Sequence, residues 1–107
     1  YHTCAVLDNA SVKCWGNNQN GQLGIDSTTN MGTSSTTTNM ASLSTANLGT
    51  GRTATAIAAG YYHSCAVLDN ASVKCWGRNN YGQLGIDSTA NMGDSSGEMS
   101  SLDAIDL

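Results

Sequence analysis

The alternation of apolar and polar positions predicts a β-hairpin in the second half of the chain. Residues alternate with period two from Tyr62 to Leu68 and again from Ser72 to Gly77, which is the period of a strand with one face turned toward a core. Between these segments, Asp69-Asn70-Ala71 carries residue types that favour a chain reversal. We therefore expect two antiparallel strands joined by a three-residue loop.

The loop length determines which residues of this hairpin face each other. A three-residue loop places Val67 opposite Val73 and Cys65 opposite Cys75, so that the cysteines meet across the ladder beside a β-branched pair. Apolar alternation and cysteine spacing thus select the same register.

The hairpin belongs to a longer duplication. Residues 1–32 and 62–93 are identical at 27 of 32 positions, and residues 40–48 align with residues 99–107. These matches predict a complete unit over 49–107 and a unit over 1–48 that lacks its first strand. Because repeat proteins need about three units to bury their faces, we expect the chain to be a piece of a longer array.

The segments outside the hairpins give weaker patterns. Arg52 to Ala58 alternates and predicts a strand with a small-residue face, and Ala104 to Leu107 is expected to form a short outer strand. Ile25 to Thr45 is expected to be a long Ser/Thr-rich surface loop, either plainly flexible or a carrier of O-linked sugars. Ile86 to Asp106 is more acidic, and we expect a solvated loop rather than a calcium site.

The four cysteines form two pairs at the same spacing, and in the first unit the hairpin register places Cys4 opposite Cys14. We expect two disulfides, which indicate an oxidising compartment. Free thiols are one alternative. A metal site is the other, but His63, Cys65 and Cys75 would supply only three ligands.

The charge of the chain excludes some functions. The net charge is −4, and the four cationic side chains form no basic stripe, so we expect no nucleic-acid partner. No apolar run approaches the length of a membrane-spanning helix.

Each hairpin loop contains an N-glycosylation sequence, Asn9-Ala10-Ser11 in the first unit and Asn70-Ala71-Ser72 in the second. A glycan at a hairpin tip leaves the sheet undisturbed. We therefore expect N-linked sugars on Asn9 and Asn70 if the protein is secreted by a eukaryote, and no other cofactor.

The segment that joins the second hairpin to its polar turn, His-Ser-Cys-Ala … Val-Lys-Cys-Trp-Gly-Arg-Asn-Asn-Tyr-Gly-Gln-Leu-Gly, resembles the repeat of the regulator of chromosome condensation family. The cysteines resemble those of its secreted members. The repeat residues carried over by this resemblance are His2, Trp15, Gly16, Gly21, Gln22, Leu23, Gly24, His63, Trp76, Gly77, Gly82, Gln83, Leu84 and Gly85.

The resemblance implies an all-β fold of tandem, propeller-blade-like antiparallel sheets, as a fragment of a longer β-propeller or an open repeat array. The family usually has Gly where Ala10 and Ala71 stand, so the hairpin turn is expected to differ from the usual one. The founder of the family exchanges nucleotides on a nuclear GTPase and binds chromatin. The acidic balance and the cysteines do not fit that role, and fold alone does not carry function.

The tryptophans and histidines that recur in both units have structural and functional interpretations. Trp15 and Trp76 are expected to fill the interface between blades, with sugar stacking as the alternative. His2 and His63 are expected to bond backbone carbonyls in the next turn. No nucleophile accompanies them in a catalytic pattern. We therefore predict that the chain is not an enzyme.

Two functions remain. The first is an extracellular, disulfide-stapled and glycosylated scaffold or fibre, in which units bind adjacent repeats or copies of the same chain and form a ring or a filament. The alternative is a secreted binding module that recognises a protein or carbohydrate through its loops. Three differences between the units, Asn17/Arg78, Gln19/Asn80 and Asn20/Tyr81, lie in one turn and favour this alternative.

Overall fold

The computed structural model describes all residues from 1 to 107 and is built from five short strands. The strands are β1 (His2–Val6), β2 (Val12–Gly16), β3 (Ala54–Ala59), β4 (His63–Leu68) and β5 (Val73–Gly77). Strands β1 and β2 form one antiparallel sheet, and β3, β4 and β5 form a second sheet in that order. The all-β class and the tandem antiparallel sheets are as predicted.

Both hairpins have the predicted register. Cys65 pairs with Cys75 and Val67 pairs with Val73 in the second unit, and Cys4 pairs with Cys14 in the first. The register follows from local information, because the loop length and the period-two pattern lie within 16 consecutive residues.

The hairpin turns use a left-handed residue, which here is alanine rather than glycine. Ala10 has φ 64° and Ala71 has φ 67°, a conformation that costs a non-glycine residue about 1–2 kcal/mol. The backbone hydrogen bonds from Ala10 to Leu7 and from Ala71 to Leu68 hold the turns closed. The expectation of a different turn is therefore wrong: the alanines take the conformation that the resemblance assigns to glycine.

Strand β3 lies at the edge of the second sheet and is shifted from its prediction by two residues at its start. A bulge separates Ala54 from Ala56. The predicted small-residue face is not packed closely, because Ala54 is buried while Ala56 and Ala58 are exposed.

The predicted outer strand from Ala104 to Leu107 is absent. The segment makes one backbone hydrogen bond to the hairpin, from the N–H of Ile105 to the carbonyl of Val73 at 2.8 Å, and in the first unit Ala46 bonds Val12 in the same way. One bond does not form a ladder, so the segment lies against the sheet edge without a strand.

The long loops are more ordered than predicted. Met31 forms a bridge with Gly16 and is buried, and a 3₁₀ turn covers Met40–Ser42 in the first unit. The corresponding part of the second unit contains a short helix, α1 (Glu98–Ser101), whose Met99 is 1% exposed. The few apolar residues of these segments pack against the core and so hold the segments in place.

The core lies between the two units and joins opposite faces of the two hairpins. The first hairpin contributes Val12 and Cys14, both 0% exposed, and the second contributes Ala66, Leu68 and Trp76. Strand β3 adds Ala54 and α1 adds Met99, and the loops add Leu23, Met31, Leu43, Ala46, Leu48 and Leu102. The chain contains no helix with the length and hydrophobicity of a membrane span.

Candidate functional site

The four cysteines form two disulfides, Cys4–Cys14 and Cys65–Cys75, each with its Cα atoms 4.0 Å apart. The alternative metal site would need the thiolates of Cys65 and Cys75, but these two cysteines are bonded to each other. No group of three or more His, Cys, Asp or Glu side chains is placed to hold a metal ion.

Asn9 and Asn70 are exposed at the tips of the two hairpins, where the sequence places their glycosylation signals. In each tip the Asn Oδ1 accepts hydrogen bonds from the backbone N–H and the hydroxyl of the serine two residues later, Ser11 or Ser72. This turn leaves the amide nitrogen, the atom to which an N-linked glycan attaches, turned away from these bonds.

The Gly-Gln-Leu-Gly segment of the first unit forms the junction, by which we mean the contact between the two units. The carbonyl of Gln22 accepts two hydrogen bonds from the second unit, one from the Ser64 hydroxyl at 2.7 Å and one from the Trp76 indole N–H at 3.1 Å. Both donors are 0% exposed, so each bond satisfies a group that burial would otherwise leave unpaired.

His2 extends this hydrogen-bond chain, with its Nε2 2.8 Å from the Ser64 hydroxyl oxygen. Because the Ser64 hydrogen is donated to the Gln22 carbonyl, the hydroxyl oxygen accepts from His2, and Nε2 therefore carries the imidazole hydrogen. Burial lowers the pKa of His2, which favours this neutral ring. The Ser64 hydroxyl is thus the side-chain partner of His2, and a hydrogen bond with the backbone of His63 partly offsets the lowering of the His2 pKa.

His63, the counterpart of His2 in the second unit, has no side-chain hydrogen bond to a backbone carbonyl. Its ring instead lies against Gly60, where a Cβ would clash with the imidazole Cε1. The expectation that His63 bonds a carbonyl in the next turn is wrong.

Two glycines of the first unit permit the close approach at the junction. A Cβ at Gly24 would lie 2.7 Å from the Trp76 indole nitrogen, and a Cβ at Gly21 would lie 2.5 Å from the backbone nitrogen of Asp94. The predicted role of Trp76 in packing fits this geometry, since its ring is fully buried. Trp15 is only partly buried.

Two sets of contacts, one at the junction and one within each unit, were not predicted from the sequence. The Asp26 carboxylate accepts hydrogen bonds from the backbone N–H groups of Gly97 and Met99 in the other unit, at 3.2 and 2.9 Å. Within each unit a buried asparagine, Asn18 or Asn79, donates to two loop carbonyls and accepts from a backbone N–H. The sequence signal for the two asparagines is their place in the Trp-Gly-x-Asn stretch of the repeat. For Asp26 it is the presence of the corresponding Asp87 in the second unit.

Asp94 and Glu98 form a pair of carboxyl groups at the start of α1. The Glu98 carboxylate accepts the backbone N–H groups of Gly93, Asp94 and Ser95, so the acidic segment is not merely solvated. Burial, together with the adjoining Glu98 carboxyl group, raises the pKa of Asp94 to about 6. Burial alone would raise the pKa of Glu98, but its hydrogen bonds outweigh burial and lower it.

A tyrosine platform, formed by Tyr1, Tyr61 and Tyr62 with Arg78, lies beside the junction. The ring centroids of the three tyrosines are 6.0–6.4 Å apart, and the Arg78 guanidinium lies 5.3 Å from the Tyr62 centroid. Tyr1 and Tyr61 remain 77% and 76% exposed. Aromatic and arginine side chains in this arrangement offer stacking and cation–π contacts to a ligand.

The platform borders a cavity of about 290 Å³. Arg78, Asn80 and Tyr81 line it, and these are the residues of the predicted variable turn. Tyr81 is 87% exposed. The structure thus brings the variable turn together with Tyr61 and Tyr62, which the sequence did not connect with it.

The repeat-motif residues fall into two environments. In the first unit Gly21, Gln22, Leu23 and Gly24 are all buried, whereas in the second unit only Leu84 of the four corresponding residues is buried. Gly16 and Gly77 both have φ 111° and lie at the last position of their hairpins. A Cβ there would be 2.8 Å from the Tyr1 carbonyl oxygen or 2.6 Å from that of Tyr62. The same residues therefore occupy an internal junction once and an open surface once.

Comparisons with known proteins agree with this architecture. The sequence model described as "Regulator of chromosome condensation (RCC1) repeat" matches residues 1–22 and 54–83. The human "Probable E3 ubiquitin-protein ligase HERC4" is 35% identical over 86 residues, which are 80% of this chain and 7% of that protein.

Among solved structures, a chain of the "Crystal structure of Kap60 bound to yeast RCC1 (Prp20)" has the same fold, with a TM-score of 0.63 and 19% sequence identity. The match covers 99% of this chain and 21% of that one. The chain thus spans a small part of the proteins to which it is similar.

Proposed function

Because the two units are repeats of the regulator of chromosome condensation type, we propose that the chain is an extracellular protein-binding segment of a β-propeller. The observation that carries this proposal is the location of the variable turn. Three of the five differences between the duplicated stretches lie in this turn, and their second-unit members line the cavity beside the tyrosine platform.

The chemistry of the platform fits a protein partner. Tyr and Arg are enriched among the residues that contribute most to protein–protein binding, and here they are exposed and adjacent. Among the Lys, Arg, Asp and Glu side chains of the chain, only Arg78 lines the cavity, so the partner is expected to place an acidic side chain there. The yeast relative is likewise described as bound to a protein, Kap60.

A turn exchange tests this proposal without changing the framework. The triple variant Arg78→Asn, Asn80→Gln, Tyr81→Asn gives the second turn the residues that the first turn already carries in a folded unit. We expect the variant to keep its unfolding midpoint and to lose protein partners that the native chain retains from extracellular fluid of the source organism.

Each retained protein is then purified and its Kd for both chains is measured. At least a tenfold weaker Kd for the variant supports the platform as the site. Equal binding by both chains would contradict the proposal. A turn-dependent signal on a glycan array, without protein partners, would assign a carbohydrate ligand instead.

The extracellular location rests on the two disulfides, since such bonds persist in oxidising compartments. N-linked glycans at Asn9 and Asn70 and O-linked glycans on the Ser/Thr-rich loop would follow in a eukaryote. Ser11→Ala and Ser72→Ala remove the glycosylation signals but keep the Asn Oδ1 bond to the backbone N–H. A mass loss of one glycan for each variant of the secreted protein supports this, and an unchanged mass contradicts it.

A scaffold or fibre is the second candidate function. It is favoured by the near-identity of the two units and by the disulfide that closes each hairpin. Each unit would stack on the next through the contacts seen at the junction. In this role the disulfides would hold each hairpin rigid, and neither unit would need catalytic groups, so the absence of enzymatic activity remains a prediction.

A further inference from the structure

Both glycosylation signals lie at the centre of a disulfide loop. Asn70 stands midway between Cys65 and Cys75, and Asn9 has the same position in the loop of the first unit. We infer that each disulfide closes the glycan acceptor inside its own loop, so that an N-linked glycan is added only before that disulfide forms. This inference rests on the proposed glycosylation and adds the order of the two modifications.

In the folded tip, the two groups that make up the signal are bonded to each other. The signal consists of the asparagine and the hydroxyl two residues later. The Asn70 Oδ1 accepts the Ser72 hydroxyl at 2.6 Å and the Ser72 backbone N–H at 3.1 Å, and Asn9 and Ser11 make the same two bonds. An enzyme that binds the amide and the hydroxyl must first separate them, so exposure alone does not make Asn70 an available acceptor.

The chemistry of glycan transfer gives the same requirement. The asparagine Nδ2 forms a bond to C1 of a lipid-linked oligosaccharide diphosphate, the C1–O bond breaks, the lipid diphosphate leaves, and one amide proton passes to solvent. An amide nitrogen is a weak nucleophile because its lone pair is delocalised onto the carbonyl. The transferase must therefore contact the amide oxygen as well, and in each tip two donors already occupy that oxygen.

The backbone of the tip is too weak to keep the signal closed without help. The Ala71 N–H donates to the Leu68 carbonyl, and the Leu68 N–H donates to the Ser72 carbonyl. However, Ala71 has a φ of 67°, which an alanine adopts at a cost, and a hairpin by itself is marginally stable in water. Before the rest of the chain folds, only the disulfide can hold the two strands together.

The order of the two modifications follows from this. Disulfide formation passes two electrons from the thiols to a disulfide oxidant of the compartment, releases two protons and takes seconds to hours. Synthesis adds about 5–20 residues per second, so a new hairpin passes through a reduced and open state. A glycan attached there to Nδ2 leaves Oδ1 able to accept its bonds, so the tip can close afterwards.

Rates of glycan transfer to purified chains test this order. The transferase is a solubilised oligosaccharyltransferase with its lipid-linked oligosaccharide donor. The acceptors are the native oxidised chain, the reduced and alkylated chain, and the double variants Cys4→Ala, Cys14→Ala and Cys65→Ala, Cys75→Ala. Because trypsin cleaves after lysine and arginine, it places Asn9 and Asn70 in the separate peptides 1–13 and 53–74. Mass spectrometry then gives the occupancy of each asparagine.

Each unit serves as the matched control for the other, because residues 4–14 and 65–75 are identical in sequence. We expect the reduced chain to receive glycans at both asparagines at least tenfold faster than the native chain. Cys65→Ala, Cys75→Ala should raise the rate at Asn70 at least tenfold and leave Asn9 at its native rate. Cys4→Ala, Cys14→Ala should give the reverse result.

The outcomes separate this inference from the glycosylation on which it rests. A reduced chain that receives no glycan contradicts the proposed glycosylation itself. Equal rates for the native and reduced chains leave glycosylation standing and overturn the order. A double variant that unfolds cooperatively in urea, yet is no faster at its own asparagine, shows that the disulfide does not close the acceptor. A variant that is faster at both asparagines contradicts the control of each site by its own disulfide.

Discussion

Trp76 donates its indole N–H to the backbone carbonyl of Gln22, 3.1 Å away and 54 residues earlier in the chain. The bond is buried, it crosses between the two units, and it shares its acceptor with the Ser64 hydroxyl. Trp15, the same residue in the first unit, has no such partner. A comparison of substitutions at Trp76 and Trp15 therefore measures how much the junction contributes to the free energy of unfolding.

Trp76→Phe is expected to lower the free energy of unfolding by about 1–3 kcal/mol, through the lost hydrogen bond and the space left by the smaller ring. Trp15→Phe should change it by less than about 1 kcal/mol, since this side chain is only partly buried. Urea unfolding followed by circular dichroism gives both values. Equal losses would show that Trp76 has no special role at the junction.

Gly24 and Gly85 provide a matched pair for the steric fit at the junction. Both have φ near 70°, so alanine costs about 1–2 kcal/mol of backbone strain at either position. A Cβ at Gly24 would also lie 2.7 Å from the Trp76 ring nitrogen, whereas at Gly85 the nearest atom is the Ile105 Cγ2 at 3.2 Å.

Gly24→Ala should therefore destabilise the protein by about 1–3 kcal/mol more than Gly85→Ala, the range for an overpacked core. The difference between the two unfolding free energies is the measurement. If the two variants are equally stable, the close approach of Gly24 to Trp76 is not required.

The disulfides are expected to stabilise each hairpin separately. Each joins two cysteines at a sequence separation of 10. Closing a loop of this length stabilises the folded state by about 3 kcal/mol in the chain-entropy treatment. The double variants Cys4→Ala, Cys14→Ala and Cys65→Ala, Cys75→Ala should each lose about this amount. Thiol titration of the unfolded native protein should find free thiols only after reduction, and thiols present before reduction would contradict the pairing.

The Asp94–Glu98 pair predicts a pH dependence of stability. Asp94 has a pKa of about 6 in the folded protein against an ordinary 3.8, so the folded state binds the proton more tightly and its stability falls as pH rises from about 4 to about 6. The lowered pKa of Glu98 acts in the opposite sense, since its contribution is lost as pH falls below its ordinary 4.5.

Asp94→Asn removes the first effect and keeps a hydrogen-bond donor for Glu98. The stability of the native chain minus that of Asp94→Asn should decrease between pH 4 and pH 6 and stay level from pH 7 to pH 8. The contribution of His2 cancels in this difference, because both chains contain His2. Its lowered pKa makes the stability of each chain rise with pH below its ordinary 6.5. A difference that is constant with pH would show that the Asp94 pKa is not raised.

The hairpins could be predicted because their determinants are local. The period-two pattern, the three-residue loop and the cysteine spacing lie within one short stretch, and together they admit a single register for Cys65 and Cys75. The repeat fold could be named for the same reason, since its motif is continuous in sequence. The prediction of a strand from Ala104 to Leu107 was wrong. A strand forms only when a ladder of backbone hydrogen bonds joins it to a neighbouring strand, and in this segment only Ile105 makes such a bond to the hairpin.

The environment of each motif residue was decided by the tertiary structure. Gln22 and Gln83 stand in identical local sequences, as do Trp15 and Trp76, yet one member of each pair lies in the junction and the other on an open face. A local pattern specifies the shape of a unit, but burial depends on which unit lies next to it. The tyrosine platform has the same origin, because Tyr1 reaches Tyr61 and Tyr62 only when the two units stack.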